Sequence, residues 1–312
     1  MPWKERYTVC DEVSLKDHDM QWPSAHRMAM HITVVLSPAS GPEGITGADI
    51  ESSLGRFGMN EGLDLLMGVL AKHNLRATLA VPAVMAQIMP DRLRAMALAG
   101  HEIAALGLRH EDTSAMPRAE EEARIALTTE TLAGIFGKRP SGWYALSRQK
   151  DRYAGGATSP HTFDLVREAG YGWFGNGMAD DIPYYTVSDF ATRRALLTLP
   201  YYYHLDDQYF SLFPVAGTGL ENADMLARNW RGEFDAQYKR GRFFSMVLHP
   251  QHSGFGHRLE FLDRFLAHMA SRLGVWVATG SQIAAHWEKQ FPARTHLKLE
   301  PQIWKDYEGS LS

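Results

Sequence analysis

From residue 29 onward, short apolar runs rich in β-branched residues alternate with longer stretches whose apolar positions recur every three or four residues. The first spacing suits a strand and the second an amphipathic helix, so the alternation predicts parallel strands joined by helices. The opening run is Ala29 to Leu36; a helical stretch at 60–73 follows, with Leu63, Leu66, Met67 and Leu70 on one face and Asn74 as its stop. Then come a strand at 75–81, a helix opened by Pro90 and Asp91 and closed by Gly100, and a strand at 101–106. The rhythm continues through an Ala/Glu-rich helix at 118–136, a strand around 141–145, a helix from Ser159 to Ala169 and a strand at 171–174. Later strands fall at 194–200, 242–248 and 274–279, which makes seven or eight β/α units. A closed barrel and a doubly wound open sheet both meet this pattern, but no Gly-x-Gly-x-x-Gly follows the first strand, which weakens the dinucleotide-binding version. Residues 22–290 carry the pattern as one domain, with 1–21 as an N-terminal arm and 291–312 as a C-terminal tail.

Composition narrows the function classes. A formal net charge of −4 and a pI near 6.4 give no reason to expect nucleic acid or an anionic membrane as partner. No apolar stretch of about 18 residues exists to span a bilayer, and the charged N-terminus lacks a secretory h-region. One cysteine, Cys10, excludes an intrachain disulfide, and fourteen methionines suit a reducing compartment, so the expected setting is cytoplasmic.

Several segments, in order, resemble the polysaccharide-deacetylase (NodB-homology) superfamily, in its intracellular branch of allantoinase-like and cyclic imide hydrolase-like enzymes. They are Trp22-Pro23, Gly55-Arg56-Phe57-Gly58, the stretch 99–112 with Gly100-His101-Glu102-Ile103, Gly142-Trp143-Tyr144, and Thr158-Ser159-Pro160. Asp180-Asp181-Ile182-Pro183-Tyr184, Leu248-His249-Pro250 and 275–287 complete the set, with an apparent insertion at 146–156. The resemblance implies an irregular, distorted seven-stranded β/α barrel and a hydrolase of non-peptide C–N bonds acting on a small cyclic amide, imide or N-acyl compound. It also implies a homo-oligomer.

In metal-dependent members of that family an Asp after the first strand and two His four apart bind a divalent cation. Here Ser37 and Leu106 stand at two of those positions and only His110 matches, so no metal and no other cofactor is expected. A zinc or other divalent site would need His252, His204 or Asp206 to complete it. The resemblance makes His249 the acid or base, at a strand end where β/α barrels expose catalytic groups. It adds His110 as a remnant ligand or second base, and Asp180, Asp181 and Tyr184 as substrate-binding or His-orienting groups. Bland readings stand beside these: a satisfied loop histidine at 110, turn chemistry at 180–181.

Three consecutive tyrosines, 201–203, cannot all face the core of a strand, so Tyr202 and the nearby Asp206 are candidates for a cleft, as are Trp143 and Tyr144. Rim packing is the alternative for those rings. The family's Arg-x-Pro segment is absent, since this stretch reads Trp143-Tyr144-Ala145-Leu146. Two other functions remain open at this stage: a metal-dependent carbohydrate N-deacetylase, and a catalytically inactive binding or partner subunit.

Overall fold

The computed structural model describes residues 9–10, 15–151, 156, 158–189, 194–211 and 223–297. Most of the C-terminal tail, part of the N-terminal arm and part of the insertion at 146–156 lie outside the described residues.

Among the described residues ten strands form one sheet: β1 Val9–Cys10, β2 Met28–Val35, β3 Thr78–Val81, β4 Glu102–Ala105, β5 Gly142–Trp143, β6 Trp173–Gly177, β7 Tyr184–Asp189, β8 Arg194–Pro200, β9 Phe243–Leu248 and β10 Val275–Val277. Seven of them, in the order β8-β6-β5-β4-β3-β2-β9, make a continuous parallel wall, with helices in the connections between them except from β6 to β8, where β7 intervenes. This curled wall is the distorted seven-stranded barrel, and the open-sheet alternative falls away. The sequence pattern did not reveal β7, which runs antiparallel to β8 and pairs with β1. Among the described residues no ladder joins β8 to β9; the chain leaving β8 crosses that seam and makes one parallel bridge, Asp206 to Val247.

Strand alternation divides the core in two. From β2, Met28, Met30, Ile32 and Val34 face outward into the layer shared with Leu63, Leu66 and Leu70, while Ala29 and Val35 join the barrel interior. His31 and Thr33 share that inward parity and carry its polar contacts: His31 Nε2 meets Thr78 Oγ1 at 3.0 Å, and Thr33 Oγ1 meets the Tyr144 hydroxyl at 2.8 Å. Burial pushes His31 down to about 3, so the imidazole is neutral in the folded chain. The end of the barrel where the strands begin is filled by Trp22, whose ring packs on Phe243, Trp276 and Trp287 and whose Nε1 donates to the Gly241 carbonyl at 2.8 Å. A functional opening therefore belongs at the other end, where the parallel strands terminate.

One close approach fixes that end. The π-helical turn Gly58–Gly62 precedes the helix Leu63–Lys72 and lies against the residues after β9. A Cβ at position 58 would sit 2.5 Å from the Gln251 Cβ, and one at 62 would sit 2.5 Å from the Pro250 carbonyl oxygen. The Gly-Arg-Phe-Gly segment thus lets a helix press on the turn that carries His249.

Gly58→Ala is expected to destabilise the fold by about 1–3 kcal/mol through this overpacking, as read by denaturant unfolding. A group held neutral in the folded state with its pKa depressed resists protonation only at the cost of folding free energy. Stability from His31 is therefore complete above its unfolded value, about 6.5, and is lost progressively as pH falls toward about 3. The urea midpoint should decline over that window, and less steeply in His31→Gln.

Candidate functional site

The register of β9 decides where His249 points. Phe243 and Val247 face the interior while Phe244, Met246 and Leu248 face the helices, so residue 249 continues the inward set. His249 is also the N-cap of the short helix Pro250–Ser253, a turn that holds it rigidly. Its Nδ1 lies 2.7 Å from Asp207 Oδ1 and 3.4 Å from Asp206 Oδ1. Its backbone N–H also donates to the Asp207 carboxylate, at 2.9 and 3.0 Å, and Ser253 Oγ donates to Asp207 Oδ2 at 2.5 Å. The other ring nitrogen, Nε2, is buried and has no hydrogen-bond partner among the described residues.

Asp206 is fixed from its own side, accepting from the Tyr201 hydroxyl at 2.6 Å and the Gln208 N–H at 2.9 Å. Burial opposes charge on His249, but the Asp206 and Asp207 carboxylates outweigh it and raise its pKa above the ordinary imidazole value. Asp206 is pushed up to about 6 by burial and by the neighbouring Asp207, with His249 pulling the other way. This is a carboxylate–imidazole relay aimed inward, with a basic nitrogen left available for a proton. Asp206, expected to touch substrate, instead positions His249. Sequence reasoning did not single out Asp207, Tyr201 or Ser253; the doubled Asp after a tyrosine run was the only signal.

His110 is placed differently. Its backbone is left-handed, with φ of 60°, and both ring nitrogens are engaged: Nδ1 with Ser37 Oγ at 2.8 Å and Nε2 with the Leu146 carbonyl at 2.8 Å. Nε2 must therefore carry the proton and Nδ1 accept from the Ser37 hydroxyl. Burial is the main reason its pKa falls to about 3. A neutral ring with no free lone pair is neither a base nor a metal ligand, so the expectation of a catalytic His110 is replaced by that of a bridge between loops. Leu106 fills the interior beside Ala104, Tyr144 and Leu146. At the positions the resemblance assigns to metal ligands, then, stand a hydrogen-bonded Ser37–His110 pair and a core leucine.

The remaining candidates do not meet at His249. Asp180 and Asp181 pair with Arg242, and Asp181 also with Arg240 at 3.0 Å. Arg242 precedes β9 whereas His249 follows it, so about 20 Å of extended strand separates the two ends. Tyr202 donates to the Asp181 carbonyl at 2.8 Å, and Tyr184 accepts from the Ala179 N–H at 3.2 Å, so both brace the 178–183 turn. These four are corrected from substrate contacts to support of the hairpin. Trp143 points outward, its ring edge-on to Tyr171 at 5.2 Å, in the layer under the helices. Tyr144 points inward but spends its hydroxyl on Thr33. His204 is exposed, and His252 is buried with its ring 5.7 Å from that of His249.

Arg148 follows the Trp143–Leu146 stretch by two residues. Its buried guanidinium bonds Asp151 at 2.9 Å and Asp112 at 3.3 Å, and also the His110 carbonyl at 3.3 Å, tying two mouth loops together.

Asp206, Asp207 and His249 each offer one ligand atom within 4.8 Å of the others, a donor set of a type that could hold a divalent cation. As placed, the three are paired with one another rather than spread around an ion. The 2.7 Å between Nδ1 and Oδ1 is a hydrogen-bond spacing, whereas two ligands of a tetrahedral zinc at about 2.0 Å stand about 3.3 Å apart. Each carboxylate also accepts from the donors named above.

Comparison with known proteins agrees with this architecture. Residues 57–173 match the polysaccharide deacetylase family. A peptidoglycan deacetylase from Helicobacter pylori is 24% identical over 268 residues, which span 78% of this chain and 89% of that protein. The structure of PuuE allantoinase superposes with a TM-score of 0.75 at 25% identity, covering 90% of this chain and 95% of the other. A Mycobacterium smegmatis protein assigned to the polysaccharide deacetylases also superposes with a TM-score of 0.75, at 28% identity over 97% of this chain and 100% of that one. Residues 57–173 thus carry a polysaccharide deacetylase domain, and fold, motif order and these similarities support the NodB-homology superfamily.

Proposed function

We propose that the protein is a hydrolase of non-peptide C–N bonds that acts on a small cyclic amide, imide or N-acyl compound through a relay of Asp207 and His249, without a metal. The observation that carries this is the inward-facing His249, with Nδ1 bound to Asp207 and Nε2 buried and unpartnered. Similarity to the PuuE allantoinase structure and to deacetylases supports the class of bond.

The chemistry conserves protons. Asp207 holds the Nδ1–H, so Nε2 takes a proton from water as the water oxygen attacks the carbonyl carbon. The C–N bond then breaks, and the same Nε2–H passes its proton to the departing nitrogen. Without a Lewis acid, several kcal/mol of charge stabilisation is missing, which favours an activated or strained amide such as a cyclic imide. A cytoplasmic homo-oligomer acting on a small molecule suits the composition and the resemblance; no helix among the described residues is long and apolar enough to cross a membrane. The second reading, a metal-dependent carbohydrate deacetylase, draws on the clustered Asp206, Asp207 and His249.

A turnover screen of cyclic imides and N-acetyl sugars, before and after chelator dialysis, separates the two. Activity on a cyclic imide that survives chelation is expected; activity lost on chelation and restored by zinc reverses the assignment. His249→Ala should lower kcat/KM by about 10²–10⁴-fold, and full activity in that variant removes the relay from the reaction. Since the base must be unprotonated, kcat/KM should rise with pH through an apparent value above about 6.5. Asp206→Asn removes a charge that raises the His249 pKa, so that limb should move to lower pH.

A further inference from the structure

On the turn after β9, His249 Nε2 and Gln251 Oε1 are buried and have no hydrogen-bond partner among the described residues. The mechanism above uses the first and leaves the second unexplained. Gln251 is fully buried, and its Nε2 donates to the Ser37 carbonyl at 2.9 Å. That bond fixes the amide's orientation, because turning it over would face two carbonyl oxygens at each other. Oε1 is thereby held as an acceptor that cannot become a donor. The same Ser37 binds His110 through its hydroxyl, so one residue anchors both side chains at the tip of β2.

Gln251 lies two residues beyond His249 in the same buried turn. Its anchor Ser37 also binds His110, whose ring is near enough to His249 to feel its charge. The Gly58 contact presses on the Gln251 backbone and leaves the side chain no room to withdraw that way. A buried acceptor with no donor is costly, by about 1–3 kcal/mol, and a ligand N–H would relieve that cost only when bound.

We propose that Gln251 is a specificity-determining residue whose Oε1 accepts the N–H of the amide or imide whose carbonyl is attacked by the water that His249 deprotonates, so that the site selects N–H substrates over their N-alkylated counterparts. This rests on the hydrolase reading. Cleavage proceeds as written above; Gln251 exchanges no proton and orients the scissile group with its nitrogen toward Oε1.

Matched probe pairs test it: succinimide against N-methylsuccinimide, and hydantoin against its N3-methyl derivative. Wild-type protein should prefer the N–H member by at least about 100-fold in kcat/KM, since a site built to bond a donor rejects the analogue lacking it. Gln251→Leu should lower kcat/KM for the N–H member by about 10-fold or more and leave the N-methyl member within about two-fold, collapsing the ratio. The wild-type comparison needs no folded variant. Turnover of both members at equal rates, still abolished by His249→Ala, overturns the Gln251 assignment and leaves the hydrolase reading intact. Absence of turnover across the panel removes both.

Discussion

A buried imidazole and two buried carboxylates hold one another in place, and the mouth of the barrel is arranged around them. Isolated, any of the three charges would be expelled or neutralised at such depth. Together they share hydrogen bonds from Tyr201, Ser253, Gln208 and the His249 backbone, which satisfy the carboxylates on every side but that of the ring. The barrel's irregularity makes this meeting possible. Because β8 and β9 are not laddered among the described residues, the chain leaving β8 crosses the seam and brings Asp206 and Asp207 alongside the tip of β9. In a regular closed barrel another strand would occupy that gap.

Most of the fold was legible because parallel strands buried on both faces write themselves as apolar runs, and the helices between them keep a 3.6-residue period. Asn74 ends its helix in a left-handed conformation, as its type suggested. The hairpin strand β7 escaped because its sequence, Tyr184–Asp189, mixes aromatic, hydroxyl and charged residues and sits beside a turn motif that drew attention to its aspartates. The site was legible at His249, a strand-end position, and at Asp206, which was given a different role. Asp180 and Asp181 misled because neighbouring charges carry no mark of which strand end they occupy. Trp143 and Tyr144 were paired in expectation, yet adjacent strand residues face opposite ways, and only one could be inside.

At positions the resemblance assigns to metal ligands, Ser37 and His110 form a neutral hydrogen-bonded bridge. Ser37 is short enough to reach both His110 and Gln251, where a carboxylate would carry charge into a region that Leu106 keeps apolar. His110, at the position that resembles the motif, clamps the loops bearing Ser37 and Leu146. A motif match at one residue therefore says little about chemistry until its neighbours are known.

The Trp22 plug has a consequence for biogenesis. Its ring and the residues flanking it bind partners from the last third of the chain: Asp17 on Arg240 and Arg242, Arg27 on the Tyr238 and Lys239 carbonyls, and Trp22 on Gly241 and Trp287. The central strand β2 likewise pairs with β9 and β10 across more than 200 residues of sequence. While the ribosome is still making the middle of the protein, the first strand has its final neighbour on one flank only, and the base of the barrel has no lid. Closure waits for the carboxyl-terminal strands to emerge, which makes this a post-translational folder whose nascent apolar edge must be shielded until synthesis is nearly complete.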